Sequence, residues 1–432
     1  MKYVSTRGNA PRVDIGVALA AGLAPDGGLY VPESLPRLEV ADFDTANSLA
    51  EVAVPLLTPF FEGDALLGGL PAICSQAFNF ETPLVAVEGG RIFQLELFHG
   101  PTAAFKDVGA RFLAACLQRL PRPDARPLTI LVATSGDTGA AVAAAFHRLP
   151  GMRVVILYPD GRVSPRQAHQ LGCFGDNVLA LAVRGNFDDC QALVKQALAD
   201  TGLQSAVPLS SANSISLGRW LPQMVYYAQA SLAHFRLTRS VLNFIIPTGN
   251  LGNAAAAALA RRIGLPIGQI VLATNANDVL PHYFSGADYT PQASQQTLAN
   301  AMDVGAPSNF ERLRWMYPED TLLRASFTAI ATSDEQIREA IVRHHAHTGR
   351  VICPHTATAL HALQSSPRNP ADAWAIVATA HAAKFEGVVE PLVHGPVPVP
   401  PMLAALLARP SHAEAMQPDY GHLRDRLLNL EG

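Results

Sequence analysis

The chain has 432 residues, 49% apolar and 16% charged, with a formal net charge of -4. That balance suits a folded enzyme of two or three domains and excludes a disordered or fibrous chain. No run of Lys or Arg could track a phosphate backbone, no apolar stretch approaches about eighteen residues, and Met1–Arg7 lack a signal-peptide core, so neither nucleic acid nor membrane is an expected partner.

In chain order, residues 1–80 are broken by turn residues, as in Ala24-Pro25-Asp26-Gly27-Gly28, and read as an irregular N-terminal segment. From about residue 128 short aliphatic runs alternate with helical stretches, the pattern of parallel βαβ units and an α/β fold. The expected strands are 128–133, 153–158, 177–183, 241–246, 269–274 and 373–378. Between them the expected helices are 138–148, 164–173 with Ser164 as cap and Pro165 in the first turn, 187–199 and 253–263, with a last helix near 402–407. The five cysteines (Cys74, Cys116, Cys173, Cys190 and Cys353) fall at no metal-ligand or redox spacing and read as reduced thiols of a cytoplasmic protein. His344, His345 and His347 have no carboxylate or Cys partner at a metal-binding spacing and read as a solvated helix face, so no metal is expected.

Ligands of α/β sheets gather beyond the carboxyl ends of strands, which directs attention to the loops there. Residues 241–246 run into Pro247-Thr248-Gly249-Asn250-Leu251-Gly252-Asn253 and then an Ala-rich helix. Glycines let backbone amides approach an anion at a helix N-terminus, so this loop suits a phosphate; a plain tight turn reads equally well. Residues 128–133 run into Thr134-Ser135-Gly136-Asp137-Thr138-Gly139, whose hydroxyls and helix start suit a carboxylate, although helix capping alone accounts for them. Lys106 stands among small and apolar residues in Phe98-His99-Gly100-Pro101-Thr102-Ala103-Ala104-Phe105-Lys106-Asp107. Burial would lower its pKa toward a nucleophile's range; a snorkelling side chain is the plain alternative. Asn213-Ser214-Ile215-Ser216-Leu217-Gly218-Arg219 could hold a second anion or could be a helix entry with a surface Arg.

Together these motifs resemble the threonine synthase family, in the fold type II group of pyridoxal-phosphate enzymes. The resemblance runs nearly end to end, from Tyr3-Val4-Ser5-Thr6-Arg7-Gly8 and Gly22 to Leu29, through Glu96 to Asp107 and Ser135 to Gly139, to Asn213-Ser214-Ile215, Ala273 to Asp278, Asn300 to Val304 and Ala378-Thr379-Ala380-His381. It implies two parallel-type α/β domains plus an N-terminal segment: residues 1–80; a large cofactor domain of 81–125 and 220–432; and a small mobile domain of 126–219.

It further implies pyridoxal 5'-phosphate on Lys106 as a Schiff base, the amides of Gly249, Asn250, Leu251, Gly252 and Asn253 on its phosphate, Thr379 at the pyridine nitrogen and Asp137 near the ring hydroxyl. Thr134, Ser135, Gly136 and Thr138 would take the substrate carboxylate. Asn213, Ser216 and Arg219 would meet the substrate phosphate. The implied reaction converts O-phospho-L-homoserine and water to L-threonine and phosphate by β,γ-replacement, in a monomer or homodimer. Leu251, Ser216 and Ala382 stand where the family more often has Phe, Asn and Pro. Two rivals remain: a lyase ending in 2-oxobutyrate and ammonia, and a metabolite-binding protein without turnover.

Overall fold

The computed structural model describes residues 1–121, 126–366 and 368–430. Residues 122–125, where the expected large-domain segment 81–125 ends, lie outside them.

The N-terminal segment is more regular than its turn residues suggest. Strands β1 (Tyr3–Ser5) and β2 (Tyr30–Pro32) pair antiparallel, the segment also holds helices Ile15–Ala21, Leu49–Phe61 and Leu70–Ala77, and the Tyr3 hydroxyl donates to the Phe60 carbonyl at 2.8 Å. The 49–61 helix forms despite Pro55 and Pro59 because Ser48 and Glu51 close a capping box and Val52, Ala53, Leu56, Leu57, Phe60 and Phe61 bury one face. Phe112, on helix Lys106–Arg119, stacks on Phe78 at 5.7 Å between centroids and meets Phe61 edge-on at 6.1 Å. Burying such a ring contributes about 2–3 kcal/mol and fixes the Lys106 helix to this segment.

Eleven further strands among the described residues make two sheets. They are β3 (Leu84–Glu88), β4 (Ile92–Glu96), β5 (Leu128–Ala133), β6 (Met152–Pro159), β7 (Val178–Val183), β8 (Leu209–Ser211), β9 (Leu242–Pro247), β10 (Ile267–Thr274), β11 (Thr328–Ala331), β12 (Ala373–Ala378) and β13 (Glu414–Met416). The larger sheet has the order β11-β10-β9-β12-β4-β3 and the smaller β13-β7-β6-β5-β8. All pairings in the two sheets are parallel except β3 with β4, an antiparallel edge of the kind α/β sheets tolerate. The six expected strands are present with ends shifted by at most two residues. The expected helices are present too, with Ser164 accepting from the Gln167 amide as N-cap.

Two expectations need correction. β13 pairs with β7, so the C-terminal end of 220–432 joins the smaller sheet rather than the larger. His344 is buried, so of the three histidines only His345 and His347 show surface on the Asp334–Thr348 helix. All five cysteines are free and buried. No helix among the described residues is long and apolar enough to cross a membrane.

Strand order locates the site. From β9 the larger sheet runs outward to β10 and β11 on one side and to β12 and β4 on the other, so neighbouring crossovers diverge at the β9/β12 boundary. The smaller sheet diverges likewise between β5 and β8. A crevice opens at the carboxyl ends of strands at such switch points. The loops leaving β9, β12, β5 and β8 carry Gly249, Thr379, Asp137 and Asn213.

Candidate active site

Lys106 begins its helix after a turn sewn to the chain beyond β12. The Phe105 amide donates to the Thr379 carbonyl at 2.8 Å, the His381 amide donates to the Ala103 carbonyl at 3.0 Å, and Ala104 bridges Ala380. Lys106 and Thr379 are thus set side by side by backbone contacts. Asp107 folds back, accepting from the Thr102 amide at 2.9 Å and the Thr102 hydroxyl at 2.8 Å. Gly100 is required beneath it, since a Cβ there would lie 2.5 Å from Asp107 Oδ2. Burial is the main force that brings the Lys106 amine down to about 8, with Arg219 and Lys384 adding to it and Asp137 opposing.

Asp137 opens helix Asp137–Phe146 in a buried charge cluster. Its Oδ1 lies 2.8 Å from Lys384 Nζ and accepts from Gln167 Nε2 at 3.0 Å. Burial pushes the carboxyl up, but Lys384, Lys106 and His355 more than offset it and hold the group well below the usual carboxylate range. Lys384 is fully buried and also donates to the Thr102 carbonyl at 2.8 Å. His355 accepts the Ala301 amide on Nε2 at 3.1 Å, which leaves the proton of its neutral ring on Nδ1. Burial holds this histidine at about 4. Lys384, His355 and Gln167 were not singled out in the sequence; the one available signal was a lysine among apolar neighbours in Ala382-Ala383-Lys384-Phe385, the same pattern as at Lys106.

The loop after β9 has the form of an anion cradle. Gly249 packs so closely on Met302 that a Cβ would lie 2.7 Å from its Cα. Leu251 takes a left-handed φ of 62° just before helix Gly252–Arg262. Among the described residues the amides of Gly249, Asn250, Leu251, Gly252 and Asn253 have no protein acceptor. Free amides at the start of an 11-residue helix fit a phosphate. The Asn250 side chain donates to Ser214 Oγ at 2.7 Å and accepts from the Ser308 amide at 2.5 Å, while Asn253 accepts from the Tyr226 and Tyr227 hydroxyls.

In the loop after β5 the Thr134 hydroxyl oxygen accepts from the amides of Gly136 at 3.0 Å and Gly139 at 2.9 Å. Thr134 therefore braces its own loop through its oxygen, while its hydroxyl hydrogen stays available to donate. Ser135 and Thr138 are half-buried. Gly136 has φ 126°, and a Cβ would lie 2.6 Å from Gln167 Nε2. After β8, Arg219 is buried rather than a surface arginine. It donates to the Ala212 carbonyl at 2.6 Å and is lowered to about 10 by burial. Among the described residues Asn213 Oδ1, Ser216 Oγ and Arg219 Nε are buried with no hydrogen-bond partner, three unmet polar atoms within one short segment. Arg312, also missed in the sequence, braces that segment by donating to the Ile215 carbonyl at 2.8 Å while lying on Trp220. A cavity of about 770 Å³ lined by Asn243, Arg261, Tyr317 and Phe327 sits at the opposite, amino-terminal edge of the larger sheet and includes none of these groups.

A lysine with a lowered pKa, an amide cradle at a helix start and a buried hydroxyl-bearing residue, gathered at one switch point, define a pyridoxal-phosphate-dependent enzyme. Residues 76–380 match the family described as "Pyridoxal-phosphate dependent enzyme", residues 2–78 match "Threonine synthase N terminus" and residues 356–426 match "Threonine synthase, C-terminal". The sequence is 37% identical to threonine synthase of Escherichia coli (strain K12) over 99% of this chain and 100% of that protein. The fold superposes on the crystal structure of threonine synthase from Escherichia coli with a TM-score of 0.92 at 36% identity, covering 99% of this chain and 100% of that one. Against the PLP-bound threonine synthase from Brucella melitensis the TM-score is 0.90 at 34% identity, covering 99% of each. The chain belongs to the threonine synthase family.

Proposed function

We propose that this chain converts O-phospho-L-homoserine and water to L-threonine and phosphate, with Lys106 carrying pyridoxal phosphate. The observation that carries this reading is the setting of Lys106: sewn to Thr379 through Phe105 and drawn down to about 8, it is placed to be a neutral amine near working pH.

The bound cofactor supplies an electron sink for negative charge at the carbon next to the substrate's amine. The amides from Gly249 to Asn253 would hold its phosphate at the helix start, and the Thr379 hydroxyl would serve as a neutral partner for its pyridine nitrogen. Asp137, ionised and fixed by Lys384, would be the charged partner on the side of the ring hydroxyl. As a neutral amine, Lys106 would move protons at the substrate's α-carbon and beyond. Thr134, Ser135, Gly136 and Thr138 take the substrate carboxylate, Thr134 also bracing the loop through its oxygen. Asn213, Ser216 and Arg219 take its phosphate; their unpartnered polar atoms support that role. The domain of 126–219 closes over the substrate and keeps water out until the β-carbon can accept it. The reaction takes place in the cytoplasm, in a monomer or homodimer.

The test incubates the purified protein with O-phospho-L-homoserine and assays threonine, phosphate and 2-oxobutyrate together, with Lys106→Ala as control. Threonine and phosphate in equal amounts are expected, and none from the variant. 2-Oxobutyrate as sole product would instead assign the chain to the lyase reading.

A further inference from the structure

Lys384 has no exposed surface, and a buried ammonium is costly to desolvate unless it is paired. Its Nζ lies 2.8 Å from Asp137 Oδ1 and donates to the Thr102 carbonyl at 2.8 Å. Three separate stretches of chain meet there: the turn Ala382–Phe385 beyond Thr379, the first residue of helix Asp137–Phe146, and the segment just before Lys106. Gln167 Nε2 donates to the same Oδ1 at 3.0 Å, so this oxygen is engaged twice. No step of the reaction above consumes the pair.

We propose that Lys384 is a positioning residue for Lys106: by holding Asp137 in a fixed ion pair it denies that carboxylate to Lys106 as a counter-ion, leaving the Lys106 nitrogen free to act as a base. The inference rests on Lys106 being the cofactor-bearing lysine. The charged groups around Lys106 are Asp137 from the helix after β5, Arg219 from helix Leu217–Trp220 and Lys384 from the turn beyond β12. His355, from helix Pro354–Ser365, joins them near Asp137 as a neutral ring. Asp107 is turned away onto Thr102. Of these, Asp137 alone favours the protonated Lys106 nitrogen, and Lys384 is its ion-pair partner. Neutralising Lys384 would leave that pull unopposed.

The experiment titrates the visible absorbance of the full-length holoenzyme against pH in wild type, Lys384→Met, Lys384→Arg and the double variant Lys384→Met/Asp137→Asn. Borohydride reduction and peptide mapping locate the cofactor in each. The midpoint should rise by about one to three pH units in Lys384→Met, the span a neighbouring charge produces, and stay near wild type in Lys384→Arg. It should return in the double variant, where a neutral pair replaces the ionic one. A lysine that merely anchors the fold would leave the midpoint where it was. An unshifted Lys384→Met with its cofactor on Lys106 overturns the proposal, and so does a double variant shifted as far as the single. If Lys384→Met does not fold, Lys384→Gln, which keeps a donor for the Thr102 carbonyl, is titrated in its place with the same expectation. Cofactor mapped to another lysine overturns the Lys106 reading itself, a different failure with a different signature.

Discussion

Asn250 Nδ2 donates to Ser214 Oγ at 2.7 Å, and this one bond ties the loop after β9 in the larger sheet to the loop after β8 in the smaller. Asn309 reinforces it by donating to the Asn250 carbonyl at 2.8 Å. The cradle proposed for the cofactor phosphate and the segment proposed for the substrate phosphate therefore share a support.

Removing that support should loosen both sites. Asn250→Ala loses the bonds to Ser214 and Ser308, each worth about 1 kcal/mol, so cofactor affinity should fall on the order of tenfold or more. Ser214→Ala should cost less, and the double variant no more than Asn250→Ala by itself. Fluorescence titration of cofactor-free protein with pyridoxal phosphate measures all three; fully additive losses would show that the bond does not couple the two loops.

The Lys106 amine gives a pH prediction. A value of about 8 means that the neutral amine, the form able to take up the cofactor, grows tenfold per pH unit below 8 and levels off above it. The rate of reconstitution of the cofactor-free protein, followed by visible absorbance, should therefore rise steeply from pH 6 to 8 and flatten by about pH 9. A rate still climbing tenfold per unit at pH 10 would mean that burial does not lower this amine.

Gly136 offers a prediction on stability. Its φ of 126° is one that L side chains rarely adopt, and a Cβ would lie 2.6 Å from Gln167 Nε2, the group that donates to Asp137. Gly136→Ala should cost about 1–3 kcal/mol from backbone strain, plus the displaced amide. Calorimetry should find a lowered Tm, while Gly68→Ala, with nothing within 4 Å of its added methyl, should leave it nearly unchanged.

The legible part of this protein was what short range determines. β5 and β12 occupy the expected spans because a run such as Ala373-Trp374-Ala375-Ile376-Val377-Ala378 is buried on both faces, and the glycines of both loops mark backbone that must approach something closely. Long-range pairing was less visible. Nothing around Asp137 announces that Lys384 or Gln167 will reach it, and β13 is only three residues long, too short for any period to show. The 49–61 helix was hidden by Pro55 and Pro59, although the Ser48-x-x-Glu51 capping box was there to be read. Thr134 shows the opposite difficulty: its hydroxyl suits a ligand and a loop amide equally, and the structure shows only that the Gly136 and Gly139 amides use its oxygen.

Arg219 supports the sharpest test of the substrate-phosphate assignment. Its guanidinium is buried, its Nη1 is fixed on the Ala212 carbonyl at 2.6 Å and its Nε has no partner among the described residues. Lys in its place would keep the charge but not the planar fork, so it could not hold the carbonyl and an anion together. Arg219→Lys should lower kcat/KM about 10- to 100-fold, the worth of one or two charged hydrogen bonds, with the loss chiefly in KM and the cofactor's visible band unchanged. Gly109 lies against the same side chain, where a Cβ would be 3.0 Å from Arg219 Nε and 2.8 Å from its carbonyl oxygen. Gly109→Ala should therefore shift the guanidinium and raise KM in the same sense without removing any polar group. Steady-state kinetics on the two variants decides the matter: KM unchanged in both would place the substrate phosphate elsewhere.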